Sequence, residues 1–229
     1  MRLGWLNCNK RACLLRYSHH IQRVFSDSAC DAWLLQEFRK NDSELPFHAE
    51  EYWLAFASRN IGVYLRRGLD PVKMEYRSDF FWVASVGNFN LGVMYLDHKS
   101  AGRVQQFQEI SSLVDQNRPT LIGGDINTTL RPKDGIYDGR LSTWTKPKER
   151  LAIDRFLTNS GLTDPFDAHS RPPEFSYGSS RHGKQYMFRS DIVLCSHDIV
   201  GRVHIEYDHS TRIGAGSFTD HSAVIATLS

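Results

Sequence analysis

Long hydrophobic runs are missing from this sequence. No apolar stretch approaches the ~20 residues needed to span a bilayer, and the N-terminus lacks a signal-peptide pattern. Neither a membrane span nor a secretory leader is expected, which points to an intracellular protein, nuclear if the cell is eukaryotic. Cysteine is scarce: Cys8, Cys13, Cys30 and Cys195 form no CxxC pair and read as reduced core filler, which excludes a disulfide mini-protein. Charge of one sign is not in excess, since 28 Lys plus Arg stand against 26 Asp plus Glu. That balance excludes a uniformly basic coat protein, yet a local positive groove can coexist with an acidic metal site. Repeats, low-complexity stretches and linkers are also lacking. What is present is 229 residues with 41% hydrophobic content, enough to build a real core, and residues 1–229 read as one domain.

The apolar pattern is one of short strands with a few helices between them. Segments 2–9, 32–35, 53–57, 61–65, 80–86 and 91–96 read as strands, with Gly87-Asn88 as a tight turn between the last two. Ile21, Val24, Phe25 and Ser28 recur at helical spacing over 19–30. Val104, Phe107, Ile110 or Ser111, and Val114 do the same over 101–117, closed by Pro119. A third helix opens near Pro147, buries Ile153, Phe156 and Leu157, and ends at Gly161. Strand candidates 190–194, 203–207 and 223–228 complete the chain, while the turn-rich stretches 131–143 and 176–185 read as surface loops. Strands that do not alternate strictly with helices predict an α+β fold, a sandwich of two mainly antiparallel sheets flanked by helices.

Polar residues collect at the ends of these apolar strands, where site residues belong. Asn7-Cys8-Asn9, Gln36-Glu37, Gly123-Gly124-Asp125-Ile126-Asn127, Ser190-Asp191 and Thr219-Asp220-His221-Ser222 each stand at such a boundary. Singly, each has an ordinary explanation as turn, cap or solvated charge. Together, five groups leaving five core strands would have to converge, and convergent polar groups are expensive unless they bind something. The remaining histidines show no metal-ligand spacing, so a zinc enzyme is not expected.

The ordered set Asn7-x-Asn9, Gln36-Glu37, Tyr95, Gly124-Asp125-x-Asn127, Ser190-Asp191 and Asp220-His221 resembles the endonuclease/exonuclease/phosphatase superfamily across essentially the whole chain. The abasic-site endonucleases of exonuclease III type and the LINE-type retrotransposon endonucleases are the most similar branches. The segment 123–128 looks like their GDFN stretch, and 220–223 looks like the retrotransposon-type ending.

That resemblance implies a four-layer αββα sandwich that hydrolyses DNA phosphodiester bonds, nicking duplex DNA with Mg²⁺ or Mn²⁺. An RNA-directed 3′ exonuclease or deadenylase, or a small-molecule phosphatase, is the alternative from the same superfamily. It implies Glu37 as metal ligand, helped by Asn9 and Asp220. Asp125 would activate water, with His221 as the alternative proton acceptor, and Asn127 would hold the phosphate or that water. His221 would donate to a phosphate oxygen, oriented by Asp191, with Tyr95 as a further donor and Asn7 holding Asp125. His98 would stand in for the asparagine that nuclease branches carry after Tyr95. Lys99 and Arg103 would contact the strand, and Tyr177 and Phe188 would line a pocket for a flipped-out sugar. DNA is the expected partner, with RNA second. A monomer is expected, compatible with further domains of a larger polypeptide.

Overall fold

The computed structural model describes residues 1–9, 18–38, 51–114, 119–142, 144–169, 172 and 174–229; Cys13 and residues 115–117 of the expected second helix lie outside them. One six-stranded sheet is built from β1 (Arg2–Asn7), β2 (Ala32–Gln36), β3 (Tyr52–Ala57), β4 (Ile61–Arg66), β15 (Val203–Asp208) and β16 (Ala223–Leu228), in the order β15-β16-β1-β2-β4-β3. A second sheet takes β5 (Pro71–Arg77), β6 (Phe81–Val86), β7 (Phe89–Tyr95), β8 (Thr120–Asp125), β11 (Leu162–Thr163) and β14 (Asp191–Ser196), in the order β11-β14-β8-β7-β6-β5. Each sheet holds one parallel pair near its middle, β1 with β2 and β7 with β8. The other pairings in both sheets are antiparallel.

Both faces of each sheet are covered, which explains the nearly continuous apolar runs. Leu3, Trp5, Leu34, Val63, Trp82, Val93, Leu121, Val193 and Val224 fill the layer between the sheets. The Trp5 indole N–H crosses that layer to the Gly92 carbonyl at 3.0 Å. Helix α1 (Ser18–Ser28) lays Ile21, Val24 and Phe25 on the outer face of the first sheet, with Phe25 stacked on Trp33 at 4.6 Å. Helices α2 (Ser100–Leu113) and α3 (Pro147–Ser160) cover the second sheet through Phe107, Ile110, Ile153 and Phe156. Ile110, not Ser111, continues the α2 stripe, and Gly161 caps α3 in the left-handed region at φ 65°. Sandwich and flanking helices are therefore as expected.

Two sequence expectations are corrected. The stretches 131–143 and 176–185 are not simply loops. They contain β9 (Gly135–Tyr137), β10 (Arg140–Leu141), β12 (Tyr177–Arg181) and the first two residues of β13 (Lys184–Phe188), and these strands form a third, four-stranded sheet in the order β10-β9-β13-β12. Their turn residues are hairpin tips: Asp138-Gly139 and His182-Gly183 all have positive φ, the geometry of a two-residue turn between strands. Strand β5 was also passed over, because its pairing with β6 is interrupted by register shifts at Pro71/Lys73 and Met74/Tyr76, which spoil the alternation.

Candidate active site

The two parallel pairs end at the same edge of the sandwich, and three residues there take the left-handed conformation just past a strand: Asn9 (φ 47°), Glu37 (50°) and Asn127 (50°). Non-glycine residues held so are strained and gather at functional sites. The turn after β1 and the turn after β8 are built alike. Asn7 Oδ1 accepts the Asn9 N–H at 2.8 Å, and Asp125 Oδ1 accepts the Asn127 N–H at 2.8 Å. Gly124 makes the second turn possible, since its φ is 133° and a Cβ there would sit 2.0 Å from the Met94 carbonyl oxygen.

Asn7 is fully buried and joins the halves: its Nδ2 donates to Asp125 Oδ2 at 2.9 Å and to Glu37 Oε1 at 3.3 Å. Asp191 opposes Asp125 directly across the β14–β8 ladder. Like charges so placed repel. Burial, and then the Asp191 charge, push the Asp125 carboxyl up to about 6. His221 relieves the pair, with Nδ1 2.8 Å from Asp191 Oδ2. Burial by itself would lower the imidazole, but Asp191, Asp125 and Asp220 outweigh it and hold His221 up at about 10. The ring is therefore a cation fixed by a carboxylate. Tyr95 is raised above its ordinary value by burial and by the Glu37 and Asp125 charges, so its hydroxyl stays protonated.

Small hydroxyls brace the arrangement. Ser176 Oγ accepts the N–H groups of Ser190 and Asp191 at 3.1 and 2.9 Å, and its carbonyl accepts the Ser222 N–H at 2.7 Å. Thr219 Oγ1 donates to the Asn7 carbonyl at 2.8 Å, and Thr211 Oγ1 bonds the His221 carbonyl at 2.8 Å. Ser176 and Thr211 had no sequence signal, because a serine or threonine acquires this role only from partners far along the chain.

A cavity of about 430 Å³ gathers Asn9, Glu37, Asp125, Asn127, Asp220 and His221, with Trp144 and Tyr177 among its walls. Tyr177 sets its ring 5.0 Å from the imidazole. A wider groove of about 1340 Å³ adjoins it at His98 and carries Arg59, Arg77, Phe80 and Tyr95. Asn9 Nδ2 donates to Asp220 Oδ1 at 2.7 Å. Glu37, Asp220 and the Asn9 amide give the cavity hard oxygen donors, which suit Mg²⁺ or Mn²⁺. Asp125, Asp191 and His221 also bring three ligand atoms within 4.8 Å, but there the imidazole is already bonded to Asp191, an arrangement for handling protons.

Two of the expected substrate contacts, Lys99 and Phe188, lie outside the cavity, while Arg103 and His98 line it with polar atoms already engaged. Arg103 is buried: its guanidinium pairs with Glu149 and donates to the carbonyls of Asp97 and His98 at 2.8 and 2.6 Å, so it shapes the loop and is not a free cation. His98 does reach the cavity, but its Nε2 lies 3.0 Å from the Tyr95 hydroxyl. Lys99 is exposed at the head of α2, outside both cavities. Phe188 is buried beneath Trp144, with ring centroids 4.3 Å apart, so Trp144 takes the wall expected of Phe188. Arg131 and Lys133 lie at the surface and both pair with Asp167.

The sequence matches the Endonuclease/Exonuclease/phosphatase family over residues 4–221, and the chain belongs to that family. Its fold is similar to an AP endonuclease from Archaeoglobus fulgidus, at TM-score 0.78 and 16% identity, covering 100% of this chain and 99% of that one. It is similar to a 3′ phosphatase, NExo, from Neisseria bound to product DNA hairpin, at TM-score 0.76, 17% identity and coverage of 100% and 99%. The endonuclease domain of TRAS1, a telomere-specific non-LTR retrotransposon, aligns at TM-score 0.69 and 13% identity over 99% of this chain and 97% of that domain. No curated protein matches the sequence.

Proposed function

We propose that this member of the endonuclease/exonuclease/phosphatase family is a divalent-metal-dependent nuclease that hydrolyses DNA phosphodiester bonds. The observation that carries the reading is the meeting, in one cavity, of a carboxylate held on both oxygens (Asp125) and an imidazolium held by Asp191 (His221). Phosphodiester hydrolysis needs one group to take a proton from water and others to meet charge that develops on the phosphate oxygens. Asp125, bonded to Asn7 and Asn127, is fixed to accept the proton. His221 donates from Nε2 to a nonbridging oxygen, because Nδ1 is committed to Asp191. Asn127 anchors its own side chain to the Leu96 carbonyl at 2.8 Å, which sets the turn's direction. Glu37, with Asp220 and Asn9, would hold the cation. When bound, Mg²⁺ neutralises phosphate charge that this acidic cavity would otherwise repel.

The test is a nicking assay on supercoiled plasmid, beside abasic duplex, RNA and inositol phosphates, each with Mg²⁺ or with EDTA. Metal-dependent conversion of plasmid to the nicked form is expected. Full activity in EDTA overturns the metal assignment, and turnover of inositol phosphates alone overturns the nuclease assignment.

A further inference from the structure

Trp144 is 54% exposed and lines the catalytic cavity, yet its place on the chain is pinned. The neighbouring Thr145 hydroxyl donates to the Thr129 carbonyl at 2.7 Å and lies 3.0 and 2.9 Å from the Thr128 and Thr129 hydroxyls. The underside of the indole packs on Phe188, and the other face is open. A tryptophan that served only to cover Phe188 has no need to leave half its surface in water beside the reacting groups. The third sheet continues the surface. Phe188 and Tyr186 lie two residues apart on β13, hence on one face and about 7 Å apart along the strand. Tyr186 pairs directly with Tyr137 of β9, ring centroids 4.8 Å apart, and the Lys184 ammonium lies 5.3 Å from the Tyr137 ring. Aromatic faces therefore run outward from the cavity and end on a cation.

We infer that Trp144 is a stacking platform for an unpaired nucleobase next to the phosphate that is cut, and that Tyr186, Tyr137 and Lys184 extend the platform along the departing single strand. The inference rests on the nuclease reading above and narrows it to substrates with an unpaired stretch at the cut. Stacking on an aromatic face tolerates any base, because every base has a π-face, and a terminal cation suits the backbone. A base-free sugar has nothing to stack, so the platform favours an intact unpaired nucleotide over an abasic one.

The experiment measures binding in EDTA, where no cutting intervenes, by fluorescence anisotropy of four labelled probes: single-stranded DNA, the same strand built of abasic nucleotides, blunt duplex DNA, and single-stranded RNA. Trp144→Ala is expected to weaken binding of the single-stranded DNA roughly tenfold, Trp144→Phe less, with the abasic strand and the duplex changed by about twofold at most. Intrinsic fluorescence adds a readout that a merely structural role would not move. Trp5, Trp33 and Trp82 are fully buried, and Trp53 is half-buried outside both cavities with its N–H on the Leu69 carbonyl, so quenching by the single strand is expected from Trp144 and is lost in Trp144→Phe. Equal losses on the base-bearing and abasic strands, or no loss on either, overturn the platform. An equal loss on RNA and DNA assigns it to unpaired bases of both, and a loss on DNA alone to DNA. A wild-type protein that binds the strand and is quenched by it but cuts no nucleic acid overturns the nuclease reading and leaves the platform standing; one that binds neither strand overturns both.

Discussion

The ends of β1 and β8 are the same backbone device carrying different chemistry. Each closes with a side chain that accepts the N–H two residues on, followed by a left-handed asparagine. In the first sheet the accepting side chain is an amide, Asn7; in the second it is a carboxylate, Asp125. The amide has a free N–H₂ to offer, and it donates to the carboxylate across the gap between the sheets. One end is thus a holder and the other is the carboxylate it holds. A second carboxylate in place of Asn7 would add a third buried charge to Asp125 and Asp191, which already share the one imidazole of His221. Backbone geometry sets where the site lies; the single difference between amide and acid sets which half carries the ionisable group.

The largest expected effects erase the chemical end. Asp125→Asn makes the β8 turn a copy of the β1 turn, and nicking should fall at least ~10²-fold with the melting temperature little changed. His221→Ala should lose a similar factor for want of the phosphate donor. Near-normal plasmid nicking by either variant would mean the two ends are chemically equivalent after all. Removing the holder should do less. Asn7→Ala leaves both reacting groups in place but frees the Asp125 carboxylate, and a loss of roughly 10–100-fold in kcat with KM nearly unchanged is expected, as for other groups that orient a reacting ligand.

The pH profile sharpens the comparison next. Asp125, raised to about 6, acts only when deprotonated, so the rate should climb as pH rises through about 6. His221, held at about 10, acts only when protonated, so the rate should decline as pH rises through about 10. An acid limb that stays in place in Asp125→Glu and Asn7→Ala alike would assign that titration to another group. The smallest effect belongs to Asn9. Asn9→Asp exchanges its bond to Asp220 for repulsion, so the metal-free protein should melt slightly lower and the rise in melting temperature on adding Mg²⁺ should grow. An unchanged Mg²⁺ response would place Asn9 outside the metal shell.

Sequence reading succeeded wherever the signal was local. Apolar runs such as Ala223–Leu228 marked strands, Pro147 and Gly161 bracketed α3, and Asp125 was marked as a polar residue at a strand end. It failed where the deciding partner was distant. Arg103 looked like a free cation until Glu149, at the start of another helix, was seen beside it. Phe188 looked like a pocket wall until Trp144 was found to cover it. Asp138-Gly139 and His182-Gly183 carried the signal of a turn, but whether strands flank a turn depends on pairing, and β9 finds its partner β13 only some fifty residues later.

Strand β16 lies between β1 and β15, so residues from opposite ends of the chain are hydrogen-bonded neighbours in the first sheet. His221 stands two residues before β16 and reaches Asp191 only once that strand has docked. Contacts of such sequence separation form late in folding. An intermediate that a ribosome holds before these residues emerge can own its helices, most of its strands and even the Asn7 and Asp125 turns, and still lacks the pairing of His221 with Asp191.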